Sequence, residues 1–341
     1  MPNRDLPLRW LGLDVSKASF HGALSTPEWR QAPIRSFPRT PAGARDFLSW
    51  ARWAIPEAPL GVVMEATGAY SKPLARWLID GSPGVQVSIA NPLQVKHFAL
   101  GQGIRNKTDA QDARMLARFG TTNQPVAFHP MPEAYEELQA LCRERAALVK
   151  SRTAAENRDE LPSPSKAAQK VRRQVLRQLE KAVESLDAAI AAHIQAHPDL
   201  KRDFDLMCSA PGIGPVVAST LMGELGDLRA FPEHKRLTGY VGLNPVHKDS
   251  GTSLHTKPHL SKQGNPRVRK MLYMAALSAS RGDHDLGDTY RHLLTEGKAP
   301  MAALGAVMRK ILVILWAILQ RGESFDPHHT RDINQKKAHT A

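Results

Sequence analysis

The segment Leu60-Gly-Val-Val-Met64, closed by Glu65, constrains this chain's fold more than any other. A short, unbroken apolar run of this kind reads as a strand covered on both faces, so helices must lie above and below it. The flanking sequence can supply that frame. Leu8 to Leu13 and Ala18 to Leu24 read as two strands joined around Asp14-Val-Ser-Lys17, and Ile34 to Phe37 as a third. Thr40 to Trp53 carries Ala44, Phe47, Leu48 and Ala51 at helical spacing, with Pro41 early, where proline is tolerated. Helices over Tyr70–Asp80 and Thr108–Phe119, with a strand over Val85–Ala90, complete an α/β unit expected to occupy residues 1–125.

Beyond it the texture changes. Leu138, Leu141, Arg145 and Leu148 form a stripe at steps of three and four. After an interruption at Leu161-Pro-Ser-Pro-Ser165, the stripe resumes with Val171, Val175, Leu179, Val183, Leu186, Ile190 and Ile194. Residues 132–198 therefore read as a helical connector, able either to pair within one chain or to join two chains as a coiled coil. Residues 200–322 read as a second, mainly helical region, and 325–341 as a basic tail expected to be disordered. The longest apolar run, Ile311 to Leu319, is about half of the roughly 20 residues a membrane span needs, and reads as a buried helix.

Charge narrows the partners. Lys and Arg number 46 against 33 Asp and Glu, a net +13. Such a surplus favours a polyanion, because each neutralised phosphate releases counterions, although a solvated basic surface accounts for charge alone equally well. Cys142 and Cys208 are too few and too far apart for a disulfide framework or a zinc knuckle. With charged residues in Met1 to Trp10 and no apolar leader core, the expected location is the bacterial cytoplasm, beside the nucleoid.

Four carboxylates carry the chemistry. Asp14 ends the first strand and Glu65 the central one, while Asp109 and Asp112 share one face at a helix start. Two divalent ions about 4 Å apart need such groups converging on one point to orient the attacking oxygen and stabilise the leaving one. Each also has a plainer reading. Asp14 can make a turn, Glu65 can cap the following loop, and the aspartates can complement the helix dipole beside the Thr108–Gln111 capping box. Together the plainer readings weaken, since Glu65 ends an otherwise apolar strand and a buried carboxylate is costly without a partner or metal. Arg105, Lys107 and Arg114 surround the two aspartates with positive charge suited to a phosphate backbone.

These residues resemble a known family. Gly12-Leu-Asp14-Val-Ser-Lys17, Glu65-Ala-Thr-Gly-Ala-Tyr70 and Arg105-Asn-Lys-Thr-Asp109-Ala-Gln-Asp112-Ala-Arg114 look like the amino-terminal domain of the "IS one-ten" insertion-sequence transposases. Pro211-Gly-Ile-Gly214, Gly242-Leu-Asn-Pro245, Asp249-Ser-Gly251, Ser261-Lys-Gln-Gly264 and Arg269-Lys-Met-Leu-Tyr-Met274 look like its carboxyl-terminal domain. The resemblance implies a resolvase-like (ribonuclease H) amino-terminal fold, with magnesium held by Asp14, Glu65, Asp109 and Asp112. It implies that Ser250 is a nucleophile forming a transient 5′-phosphoserine bond with donor and target DNA. It further implies a homo-oligomer (dimer or tetramer) with composite sites, and a structured guide RNA encoded by the element.

From the residues alone Ser250 is a weak candidate, because Asp-Ser-Gly is a common turn and a serine hydroxyl needs activation. Lys257, Lys262, Arg267, Arg269 and Lys270 read as a phosphate-contacting surface, or as a solvated loop and helix start. Three rivals remain: a Holliday-junction-type nuclease using only the acidic domain, an actin-like ATPase, and a non-enzymatic nucleic-acid binder. The ATPase lacks the phosphate-binding glycine loops of a second α/β half.

Overall fold

The computed structural model describes residues 7–104, 108–246, 249–250, 254–255, 259–261 and 263–326, which divide into two units, 1–130 and 131–341. The first is built on a five-stranded sheet. Strands β1 (Arg9–Val15), β2 (Ser19–Leu24) and β3 (Ile34–Pro38) form an antiparallel meander, while β4 (Leu60–Glu65) and β5 (Gln86–Ala90) run parallel to β1, giving the order β3-β2-β1-β4-β5. The apolar run is indeed central and covered on both sides, with Leu60, Val62, Val63 and Met64 fully buried.

Alternation sorts the two faces. Leu11, Leu13, Val15, Val62 and Met64 pack with Phe20, Phe37, Phe47 and Leu74 against α1 (Pro41–Ala54) and α2 (Ser71–Gly81). On the other face Trp10 and Val63 pack with Met115, Leu116 and Phe119 of α4 (Asp109–Asn123) and with Val95 of α3 (Pro92–Gly101). Helix α3 was not anticipated, although its start carries the usual signals: Pro92 stands at the first turn and the Asn91 side chain accepts from Leu93 N at 2.9 Å.

Gly12 decides how close α4 comes. A Cβ there would lie 2.1 Å from Ala113 O and 2.2 Å from Ala117 N, so the helix backbone rests directly on the strand. Thr108 caps α4, its hydroxyl accepting from Gln111 N at 3.3 Å. Asp109 and Asp112 thus occupy the first turn, where the macrodipole favours negative charge.

In the second unit α5 (Glu133–Asp159) and α6 (Lys166–Ala196) pack on one another within the chain, turning at the proline-containing segment 161–165. Arg145 pairs with Asp187, and Arg172 Nη1 donates to Arg158 O at 2.9 Å near the turn. Helices α7 (Pro198–Cys208), α8 (Pro215–Leu225), α9 (His234–Val241), α10 (Pro266–Ala279), α11 (Asp285–Thr295) and α12 (Pro300–Arg321) share one core with the α5–α6 base. Among the described residues α12 is the one helix long and apolar enough to cross a membrane, but Ile311, Leu312, Leu315, Ile318 and Leu319 are buried in that core. A polar clamp ties α5, α8 and α10 together. Arg143 on α5 donates Nε and Nη2 to the buried Glu224 carboxylate at 2.7 and 2.8 Å, and Asn265, the cap of α10, adds a third bond at 2.7 Å. Two-residue strands β6 (Pro245–Val246), β7 (Asp249–Ser250), β8 (Leu254–His255) and β9 (His259–Leu260) pair as β6–β9 and β7–β8 between α9 and α10. The tail from 327 onward lies outside the described residues.

Candidate active site

Asp14 is the sixth residue of β1 and shares the face of Trp10 and Gly12, the face covered by α4. Glu65 closes β4 on that same face, in phase with Val63. Both stand one residue beyond the last registered pair of these parallel strands, Leu13 opposite Met64. The tight contact at Gly12 sets the first turn of α4 over this sheet edge, and with it Asp109 and Asp112. Strand β1 and helix α4 bring Asp14 and Asp109 to ligand distance of one another, while Glu65 and Asp112 stand outside that group and line the adjoining cavity. Asp14 lies within the strand rather than in the turn.

The electrostatics report their mutual approach. Burial pushes the Asp14 carboxyl up to about 6, and the charges of Asp109 and Asp112 push in the same direction; His21 opposes them, and Glu65 adds a smaller push upward. Each neighbouring carboxylate makes ionisation of Asp14 harder, as expected where like charges crowd. A cavity of about 640 Å³ opens beside the cluster, lined by Glu65, Asp112, Asn91, Lys96, Ile104 and Met115 among others.

One neighbour of Asp14 and Asp109 escaped the sequence reading. His21 on β2 stands directly opposite Asp14 on β1, and its Nδ1 is 4.0 Å from Asp109 Oδ2. Ligand atoms of Asp14, His21 and Asp109 all lie within 4.8 Å of one another. The β1–β2 pairing that brings His21 to Asp14 involves residues seven apart, and the alternation of β2 marks the face only once its register is known. The donor set suits a divalent cation: carboxylate oxygens are the usual ligands of magnesium and manganese, and imidazole is a common ligand of first-row transition ions.

The remaining candidates are dispersed. Arg114 on α4 is half-buried and donates Nε to Ala32 O at 2.8 Å, which anchors the chain entering β3. Arg105, Lys107, Lys257 and Lys262 lie outside the described residues. Ser250 belongs to the second unit, on β7, with its backbone registered opposite Leu254 across the hairpin. On α10, Arg267 and Lys270 are exposed, whereas Arg269 turns inward and donates Nη1 to Val241 O at 2.9 Å. Arg267 also approaches Glu224 at 3.9 Å.

Comparison with known proteins covers most of the chain. A DEDD-type family model described as "Transposase" matches residues 11–160, and one described as "Transposase IS116/IS110/IS902 family" matches residues 205–291. The chain is 30% identical over 324 residues to the pilin gene-inverting protein of Moraxella lacunata, an alignment spanning 93% of this chain and 97% of that one. Its Moraxella bovis counterpart aligns with the same identity and coverage. The transposase for insertion sequence element IS1111A of Coxiella burnetii is 25% identical over 294 residues, 77% of this chain and 79% of that protein.

Proposed function

This chain belongs to the IS110 family of insertion-sequence transposases, DNA-recombining enzymes, and we propose that it cuts and rejoins DNA with an acidic centre in its first unit and a nucleophilic serine in its second. The observation that carries the reading is the approach of Asp14 on β1 and Asp109 on α4 to ligand distance of one another, at the end of the sheet where β4 closes on Glu65. In this reading Asp14, Glu65, Asp109 and Asp112 hold magnesium. A bound divalent ion there supplies Lewis-acid stabilisation of the phosphoryl charge. A ribonuclease H-like fold is supported by the antiparallel β1–β3 meander followed by strands parallel to β1.

The protein's own part begins with Ser250. Its Oγ attacks the phosphorus of a phosphodiester, a P–O(Ser) bond forms, and the bond to the 3′ oxygen breaks. The serine proton ends on that oxygen as a 3′ hydroxyl, and the DNA 5′ end is held as phosphoserine. Attack by another 3′ hydroxyl reverses these changes and restores the serine. One phosphoester replaces another at each stage, so bond energy is conserved without a nucleotide cofactor. Arg267 and Lys270, exposed on α10, together with Lys257 and Lys262, contact backbone phosphates. The partners are donor and target DNA, a structured guide RNA, and further copies of the chain in a dimer or tetramer whose serine and acidic centres combine.

The experiment is adduct capture. End-labelled DNA is incubated with protein and Mg2+, quenched in detergent and resolved by size. Wild type yields a protein–DNA adduct sensitive to phosphodiester hydrolysis; Ser250→Ala yields none, and Asp14→Asn lowers it by about 10²-fold or more. Undiminished cutting by Ser250→Ala, with no adduct in wild type, would establish a simple nuclease instead.

A further inference from the structure

We propose that His21 is a nitrogen ligand of the acidic centre and gives that centre a preference for Mn2+ over Mg2+. The inference rests on the reading of Asp14 and Asp109 as ion-binding groups and adds a residue and a selectivity to it.

Pairing geometry supplies the first argument. Asp14 and His21 are directly opposed across β1 and β2, and opposed side chains on an antiparallel pair stand about 5 Å apart at Cβ. Buried neighbours fix that register: Phe20 and Ala23 on β2 and Leu13 and Val15 on β1 are almost wholly enclosed. A slip by one residue would turn every one of these to the wrong face, so His21 is held on the carboxylate side. The third member comes from α4, set at this depth by Gly12.

The imidazole's surroundings supply the second argument. Among the described residues its ring makes no hydrogen bond, and at 4.0 Å the separation from Asp109 exceeds hydrogen-bonding range. Among these residues the ring's one charged neighbour within 4.0 Å is thus the Asp109 carboxylate, itself a candidate ligand. Ligand atoms around one ion sit about 3 Å apart when metal–ligand bonds are about 2.1 Å. The present spread of up to 4.8 Å closes with side-chain rotation of about 1–2 Å. A set of two carboxylates and an imidazole discriminates between cations. Magnesium takes oxygen ligands and keeps its waters, so an imidazole favours a first-row transition ion over it, and manganese is the one of these that carboxylates also suit.

The test uses the full-length protein and the metals alone. Mn2+ binding is followed by loss of the free-ion electron paramagnetic resonance signal, and Mg2+ affinity by competition. Wild type is expected to bind Mn2+ more tightly than Mg2+. His21→Ala is expected to lose about tenfold in Mn2+ affinity while changing about twofold or less for Mg2+, as removal of one ligand from a mixed set implies. His21→Gln, which keeps a polar side chain of similar reach, should show the same selectivity loss and guards against a folding artefact. A spin-echo modulation from directly bound nitrogen should accompany wild-type Mn2+ and vanish in both variants. Bound Mn2+ without that nitrogen signal, or equal affinities in wild type and His21→Ala, overturns the role of His21 and leaves the carboxylate reading standing if Asp14→Asn still weakens binding. Failure of wild type to bind either ion overturns both.

Discussion

Among single residues, Asp14 carries the largest conflict between stability and chemistry. Its carboxyl titrates near 6 in the fold, above the usual carboxylate range, because burial and then Asp109 and Asp112 resist its charge. The folded protein therefore holds a proton there that the unfolded chain releases, and the associated stability is present in acid and lost as pH rises through about 6. Asp14→Asn removes the penalty. In EDTA at pH 7.5 its melting temperature should exceed wild type by a few degrees, about 1 kcal/mol once solvent screening at this half-buried site is allowed for. At pH 4.5 the difference should shrink toward zero, and saturating Mg2+ should reverse it by stabilising wild type alone. A calorimetric series across pH, with and without metal, reads all three outcomes. Asp14 and Glu65 were legible in the sequence because each interrupts or ends an apolar run. His21 was not, because its relevance depends on which residue of another strand it faces, and alternation within β2 does not carry that information.

At the level of helices and strands, two contacts govern how the centres are held. Gly12→Ala adds a methyl group that meets the α4 backbone, not a flexible side chain that can move aside. The expected cost is about 2 kcal/mol, with ion affinity falling further than stability because Asp109 and Asp112 shift against Asp14; parallel denaturation and Mn2+ titration separate the two. The clamp at Glu224 works differently. Burial alone would raise its pKa, but hydrogen bonds from Arg143 and Asn265 prevail and hold the carboxylate below its ordinary value. Its contribution is present at neutral pH and lost as acid carries the solution through that lowered range. Glu224→Ala should destabilise the second unit by about 3 kcal/mol, since Arg143 and Asn265 lose their acceptor, with urea unfolding as the measure. Asp187→Ala, which breaks a pair at the surface of the α5–α6 hairpin, should cost about 0.5 kcal/mol. The covered strand β4 and the two long helices could be read directly from apolar spacing. Helix α3 could not, because its apolar residues Leu93, Val95, Phe98 and Leu100 form no single stripe, and only its Asn-Pro start announced it. Nor does spacing reveal the Glu224 clamp, which joins residues 81 and 41 positions apart.

For the whole chain, a net charge of +13 gives the affinity for nucleic acid its salt dependence. Replacing Arg267 and Lys270 together by Ala should flatten the plot of log affinity against log salt by about 2 units of slope, one per lost phosphate contact, with little change between DNA sequences. The Arg269→Ala variant should behave otherwise, losing stability more than slope, because its guanidinium holds the end of α9. Fluorescence anisotropy over a salt series distinguishes the cases. The close seating of α4 on β1 has one further implication, for mobile elements that accumulate in genomes as decaying copies. A copy can keep every acidic letter of its motif and still be extinct, silenced by a single carbon atom at position 12 that no survey of charged residues would notice.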